Sequence, residues 1–478
     1  MYKKFASQVG ILILINIIIK LIWLFGIERK LQITVGFENY GAYYSLFNLT
    51  LILSMITDPG LSNYLVRSLA SDKEFRPESL FSLKIFLSFI YILLALGIGL
   101  FTGYQSYFFY LLLILAVYQL LWSFLIYLRA YLKGLQFFGA EIFFSVFDKV
   151  LLIALFIPLL YTNTSTTTDI YFFAASQVIA VSVSILICIL IMRKKGIVLF
   201  NLENYKPDFS VLKELLPFAL FAFLVLAYNK ADVIMLDKLL PEGKKETGIY
   251  AAAYRVLDAS NMMAILFASL FLPAITKLIK DKRNIVSFVK DSFELLISLS
   301  LIISFSCWFY KTEIMMMLYG DKSSSYLAQI FGVLMFSSPL IVLYYVFSTV
   351  LTANNNLRIL NVISAIGLIV NISLNLYFIP KYGALGASYS TIASLAIIGI
   401  TYLIYYQIYF KAAFNWISIS KIIALIVILS LTGNLFEFTQ LNWMLRLILF
   451  CFTSLLFTIV FGLISIKKLV LLFKSQEN

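Results

Sequence analysis

The sequence predicts an all-α integral membrane protein of about fourteen transmembrane helices, arranged as two parallel six-helix bundles around a central cavity plus two C-terminal helices. Three observations predict it. First, 62% of the 478 residues are hydrophobic and 13% are charged, with a mean hydropathy of +0.95. A soluble chain carries about twice that charged share, so lipid must cover the apolar surplus. Second, apolar runs of about 20 residues, the length that crosses a bilayer core, recur along the whole chain. Third, basic residues crowd into alternate connectors.

The runs are justified in order. Span one, near 9–33, is too long for a cleaved signal, lacks a small-residue cleavage site and contains Lys20, so it is expected to stay as a helix. Span two, near 40–58, opens at Gly41 and ends at Asp58, where Pro59 sharpens the stop. Spans three and four lie near 80–101 and 107–128, with Lys84 expected to reach the inner headgroups. Span five, near 142–160, carries Asp148 and Lys149. A short polar loop over 161–169 leads to span six, near 170–192. A longer connector, 193–214, precedes span seven, near 215–237, which opens at Leu216 and Pro217. Span eight lies near 249–274, and the connector 275–291 leads to span nine, near 292–310, with Glu294 expected at the headgroups. Spans ten to twelve lie near 327–351, 357–379 and 384–409, and two further spans lie near 418–435 and 444–466. No connector is long enough for a separate domain, so function must be built from the helices.

Charge tests this map. With both termini in the cytoplasm, 23 of the 37 Lys and Arg fall in cytoplasmic segments, 9 fall outside and 5 lie at membrane depth. That skew obeys the positive-inside rule. The formal net charge of +13 is therefore a topology signal, and no soluble domain exists to bind nucleic acid. Histidine is absent, which removes imidazole metal sites and histidine acid–base catalysis. Cys188, Cys307 and Cys451 lie in apolar runs and read as small packing residues. No metal or cofactor is expected.

An internal repeat is visible. Gly41-Ala-Tyr-Tyr-Ser opens span two and Gly248-Ile-Tyr-Ala-Ala opens span eight. The stretches 128–158 and 351–380 both end in Phe-Ile-Pro, and Ala175-Ser176 matches Ala387-Ser388. Corresponding elements lie six helices apart, an even number, so the halves share one orientation. The expected divisions are 1–195 and 196–410, a six-helix bundle each, and 411–478, two further helices and a cytoplasmic tail.

The stretch 212–278 resembles the polysaccharide flippases of the multidrug/oligosaccharidyl-lipid/polysaccharide exporter superfamily. The Leu216-Pro217 opening, Asp232 to Leu236, and Gly248, Tyr250 and Ala253 carry the likeness. The segments 35–46, 58–70 and 379–394 agree with it; the family's Asp-Leu-Gly-Leu reads Asp58-Pro59-Gly60-Leu61 here. The resemblance implies a non-enzymatic flippase of the bacterial cytoplasmic membrane. It would move a polyprenyl-pyrophosphate-linked oligosaccharide, an O-antigen or capsule repeat unit, by alternating access. Its expected partners are that glycan, membrane lipid and polysaccharide polymerase machinery, and it is expected to work as a monomer.

Such a substrate needs cations to replace water around its phosphates and polar groups to receive its sugars. The basic residues at depth are Lys20, Lys84, Lys149, Lys230 and Arg255. Arg255 lies two turns into span eight, and Asp258, three residues on, offers either an ion-pair partner or a polar cavity group. Lys20 sits near the middle of span one. Asp148 and Lys149 are adjacent and point roughly 100° apart, so they face different surroundings. Lys20, Lys149, Lys230 and Arg255 are the candidate substrate-binding cations, and Asp148 and Asp232 the candidate coupling-ion carboxylates. Asn371 and Asn375 share a helix face, as interhelical hydrogen-bond partners or as sugar contacts.

Three alternatives remain. A drug/cation antiporter of the same superfamily requires acidic groups to dominate the cavity, whereas basic groups are at least as numerous. A peptidoglycan-precursor flippase also fits fourteen helices and a basic cavity. A membrane glycosyltransferase or polymerase commonly places catalysis in a large outer loop, which this chain lacks.

Overall fold

The computed structural model describes residues 15–71, 77–101, 106–161, 169–197, 207–412 and 415–464. Residues 9–14 of span one, much of the connectors over 162–168 and 198–206, and the tail from 465 lie outside them. No strand occurs among the described residues. The chain is an all-α multi-pass membrane protein. It divides into two compact units, Met1–Gly248 and Ile249–Asn478.

In the first unit, span one is helical over residues 15–21 (α1) and continues through a π-helical turn, Ile22–Glu28. It runs into α2, Arg29–Ser54, across a kink at Gly36 (φ 82°, ψ 161°). Only glycine enters that region without a steric penalty, so the predicted break between spans one and two falls there. After Asp58 come α3 (Leu61–Ser71), α4 (Pro77–Phe101), α5 (Ser106–Gly134), α6 (Phe138–Tyr161), α7 (Ile170–Lys194) and α8 (Ser210–Leu239). Helix α5 packs on α2, α3 and α7, and α2 also packs on α8. The first turn of α9 (Gly243–Lys280) closes this unit against α2. A Cβ at Gly41 would collide with the Lys244 carbonyl, and one at Gly248 with the Phe37 carbonyl. Gln32 Nε2 donates to the Gly248 carbonyl at 2.6 Å. The glycines that open the two repeats thus let two backbones touch.

In the second unit, α9 is followed by α10 (Val286–Phe309), α11 (Lys311–Tyr319), α12 (Ser325–Met335), α13 (Ser337–Ala353), α14 (Leu357–Tyr382), α15 (Ala384–Tyr409), α16 (Trp416–Glu437) and α17 (Trp443–Val460). Helix α15 packs between α13 and α14, while α10 packs on α12, α13, α16 and α17. Helix α10 buries Ser292, Ser298, Ser300, Ser304 and Ser306. Ser298 Oγ donates to the Glu294 carbonyl and Ser304 Oγ to the Ser300 and Met335 carbonyls. With no water in the hydrocarbon, such hydroxyls bond back to the backbone.

Eleven described helices are long and apolar enough to cross a membrane, and they coincide with predicted spans three, four and six to fourteen. Their outward faces are apolar, as at Phe89, Leu186 and Ile369. Four details depart from the sequence reading. Helix α9 extends beyond 249–274 because charged residues continue it past the apolar run at both ends. Span ten breaks at Phe336 into α12 and α13, just ahead of Pro339. Pro217 lies inside α8 instead of opening it, since the helix begins at Ser210. The short helices α3 and α11 hold no run long enough to register as a span.

Candidate functional site

Helix one and α6 carry the first group of candidates. Asn16 Nδ2 donates to Ser145 Oγ at 3.1 Å, which fixes α1 against α6. One helical turn beyond each partner stand Lys20 and Lys149, and both side chains are partly exposed. The i, i+4 spacing puts each lysine on the face that makes the Asn16–Ser145 contact. Lys20 lies within electrostatic reach of Lys149. Lys149 Nζ also lies 5.4 Å from the centre of the Trp122 ring, within cation–π range.

Asp148 is 1% exposed and lies in the field of Lys149 and Arg129. Its Oδ1 accepts no hydrogen bond among the described residues. Arg129 Nη2 is held by Glu141 Oε1 at 2.9 Å, joining the end of α5 to the start of α6. Three basic groups, Lys20, Lys149 and Arg129, and two carboxyl groups, Asp148 and Glu141, thus belong to this wall. Its aromatic side is Tyr118 stacked on Trp122 at 6.4 Å, with Tyr118 also against Phe47. Such a wall can hold an anion beside a flat apolar surface. The sequence spacing alone could not join Lys20 to Lys149; the Asn16–Ser145 bond does.

Lys84 departs from its expectation. It does not reach the headgroups: its side chain is fully buried and pairs with Asp58 Oδ2 at 3.5 Å. Lys84 Nζ donates to Ser123 Oγ at 2.7 Å and faces the Phe124 and Tyr127 rings at 5.3 and 5.4 Å. Asp58 also accepts from the Ser62 hydroxyl and, at 3.0 Å, from the Ser62 backbone N–H. The tight turn at Asp58-Pro59-Gly60 points the carboxylate back into the bundle, where the lysine finds it before any headgroup. Glu294 likewise turns inward, accepting from Ser418 Oγ at 2.5 Å.

On α8, Asp232 is buried and Lys230 is partly exposed. Just before them in the chain, Asn229 Nδ2 donates to the Val225 carbonyl at 2.8 Å. On α9, Arg255 is 4% exposed, while Asp258 is partly exposed and lies near Tyr345. Asn371 and Asn375 come together: Asn375 Nδ2 donates to Asn371 Oδ1 at 3.0 Å, and Asn371 Nδ2 to Ser394 Oγ at 3.2 Å. Both amides thus sit in the α14–α15 contact. Among the described residues no group of three or more Cys, Asp and Glu is placed to hold a metal ion.

Comparison with known proteins adds an independent line. A family model described as polysaccharide biosynthesis protein matches residues 5–279. Among solved structures, the fold matches a Lipid II flippase, MurJ, in an inward closed conformation. The TM-score is 0.66 at 17% identity, over 98% of this chain and 99% of that one. A mutant of the Vibrio cholerae MATE transporter VcmN matches with a TM-score of 0.58 at 15% identity, over 86% and 98%. A MOP superfamily transporter from Pyrococcus furiosus, described as having a binding pocket of reverse polarity, matches at 0.56 and 14%, over 85% and 94%. No match arises among curated proteins. At these identities the structural likeness establishes the fold.

Proposed function

The chain belongs to the polysaccharide biosynthesis protein family, and from that premise we propose that it is a flippase for a polyprenyl-pyrophosphate-linked oligosaccharide, an O-antigen or capsule repeat unit. It would work by alternating access in the bacterial cytoplasmic membrane, with both termini in the cytoplasm. The observation that supports the reading is the Asn16–Ser145 bond, which sets the faces of α1 and α6 that carry Lys20 and Lys149 against each other, with Lys149 beside Trp122. Two ammonium groups on one wall replace the hydration of a diphosphate, and the indole beside them accepts a sugar face. Lys230 and Arg255 are further candidates for the phosphate path. Asp258 is a candidate for polar contact with the glycan, while Asn371 and Asn375, bonded to each other and to Ser394, are proposed to hold α14 to α15.

The membrane potential assists this direction of transport. An anion leaving a cell whose exterior is positive gains about 2.3 kcal/mol per charge per 100 mV. An antiporter for cationic drugs would gain nothing from paired lysines on its wall.

A peptidoglycan-precursor flippase is the second reading. It is favoured by the near-complete mutual coverage with the Lipid II flippase structure, against 86% or less of this chain for the two exporter folds named above. Proteoliposomes of known sidedness separate these readings. Labelled polyprenyl-pyrophosphate oligosaccharide should cross with the wild-type protein and slow when Lys20 or Lys149 becomes alanine. Movement of Lipid II in its place would support the second reading. Proton-driven efflux of a cationic dye, with no glycolipid movement, would overturn both.

A further inference from the structure

A cavity of about 140 Å³ opens in the second unit between the first turns of α10, the end of α15 and the start of α16. Its walls are apolar, with Val286, Phe293, Phe347 and Ile422 among them. Its polar groups are few and converge: Lys290, Glu294, Tyr406, Gln407, Asn415 and Ser418. They stand at the basic-rich end of the bundle, the end expected to meet the inner-leaflet headgroups.

Charge is graded across this cavity. Glu294 is 2% exposed, and one of its oxygens is oriented by Ser418 at 2.5 Å. Lys290, one turn earlier on α10, is 3.8 Å from the same oxygen, and its side chain remains 39% exposed. A carboxylate therefore lies at the bottom and an ammonium at the mouth. Tyr406 is 4% exposed and lines the same space, and its hydroxyl has no hydrogen-bond partner among the described residues. A buried hydroxyl without a partner is costly in a hydrocarbon setting. Asn415 Oδ1 already caps α16 through the Ser418 backbone N–H, and its second lone pair is available.

The geometry points to a binding site for the headgroup of a zwitterionic phospholipid with a primary ammonium, of the phosphatidylethanolamine kind. The ammonium enters the cavity, donating to Glu294 and to the acceptors on Tyr406 and Asn415. The phosphate stays at the mouth against Lys290, and the acyl chains lie along the apolar outer face of α16. A primary ammonium brings three donors to this set of acceptors, whereas a quaternary choline brings none. An anionic headgroup without an amine would place no positive charge on Glu294. This site is separate from the Lys20–Lys149 wall and does not depend on the transported substrate.

The test uses purified, delipidated full-length protein and native mass spectrometry. It is challenged with equal amounts of phosphatidylethanolamine, phosphatidylcholine and phosphatidylglycerol of identical acyl chains. Wild type should retain the ethanolamine lipid about tenfold over either competitor, the scale of one charge-assisted hydrogen-bonded contact. Glu294→Gln, which keeps the size of the side chain, should abolish that preference, and Tyr406→Phe should weaken it. Lys290→Gln should lower retention of all three lipids together, since each carries the phosphate. Equal retention of all three lipids by wild type would overturn the proposal. So would an unchanged preference in both Glu294→Gln and Tyr406→Phe with melting profiles like wild type. Should Glu294→Gln fail to fold, Tyr406→Phe and Lys290→Gln decide alone. Free phosphoethanolamine competing as well as the whole lipid would also overturn it, since the ligand would then be a soluble metabolite.

Discussion

Lys84 and Asp58 form an ion pair inside the first unit, with Nζ 3.5 Å from Oδ2 and no exposure of the lysine side chain. Ser123 and two aromatic rings complete the shell around the ammonium. The pair ties the end of the second span to the start of the third across the turn at Pro59.

Breaking this pair from one side should destabilise the protein more than removing it whole. Lys84→Met leaves a carboxylate facing a greasy pocket, and Asp58→Asn leaves an ammonium there. Loss of one partner of a buried pair costs about 3–5 kcal/mol, while replacing both with apolar residues is often close to neutral. Thermal inactivation in detergent should therefore be much faster in each single variant and recover in Lys84→Met combined with Asp58→Leu. Single variants as durable as wild type would show that the pair has no structural role.

The wall formed by Lys20 and Lys149 should show coupled behaviour. If both contact one diphosphate, each alanine variant loses about tenfold in initial translocation rate. The double variant then loses less than the product of the two, because residues sharing one ligand are not additive. Lys149→Arg keeps the charge and should retain most of the rate. Strict multiplicativity in proteoliposomes would place the two lysines on separate ligands.

Asn371 and Asn375 should act on stability before transport. Their amides bond each other and Ser394, so Asn371→Ala removes an interhelical hydrogen bond of about 0.6–2 kcal/mol in a membrane setting. Substrate affinity, measured by binding to the purified protein, should stay within about twofold, since a change of roughly 0.4 kcal/mol has that effect. A large fall in affinity with an unchanged melting temperature would make the two amides sugar contacts.

The spans were legible because lipid imposes a single rule on every one of them: about 20 apolar residues and a satisfied backbone. The kink at Gly36 and the break at Phe336 follow from glycine conformation and from the nearby proline, and both lie at or beside visible signals. Less legible were the partners of the buried charges. Lys84 and Lys20 look alike in sequence, each one cation in an apolar helix. One is enclosed by Asp58 and the other lies on the face of α1 that meets α6, and only packing of distant segments separates the two cases. The same holds for Glu294, whose partner Ser418 lies 124 residues away. Short helices such as α3 escaped because a span-length window averages over them.

Asp148 offers the sharpest test of energy coupling. Its carboxylate is buried in α6, one oxygen makes no hydrogen bond among the described residues, and Lys149 and Arg129 lie nearby. A carboxylate so placed can exchange a proton or a small cation whenever the wall opens to water, and its charge then alternates with that of the substrate phosphates. Asp148→Asn keeps the shape and removes the exchange. Glycolipid binding should survive that substitution, while the acceleration of translocation by an imposed proton or sodium gradient should disappear. Rates in the variant that still respond to ionophores as wild type does would assign the coupling elsewhere, with Asp232 the next carboxylate to examine.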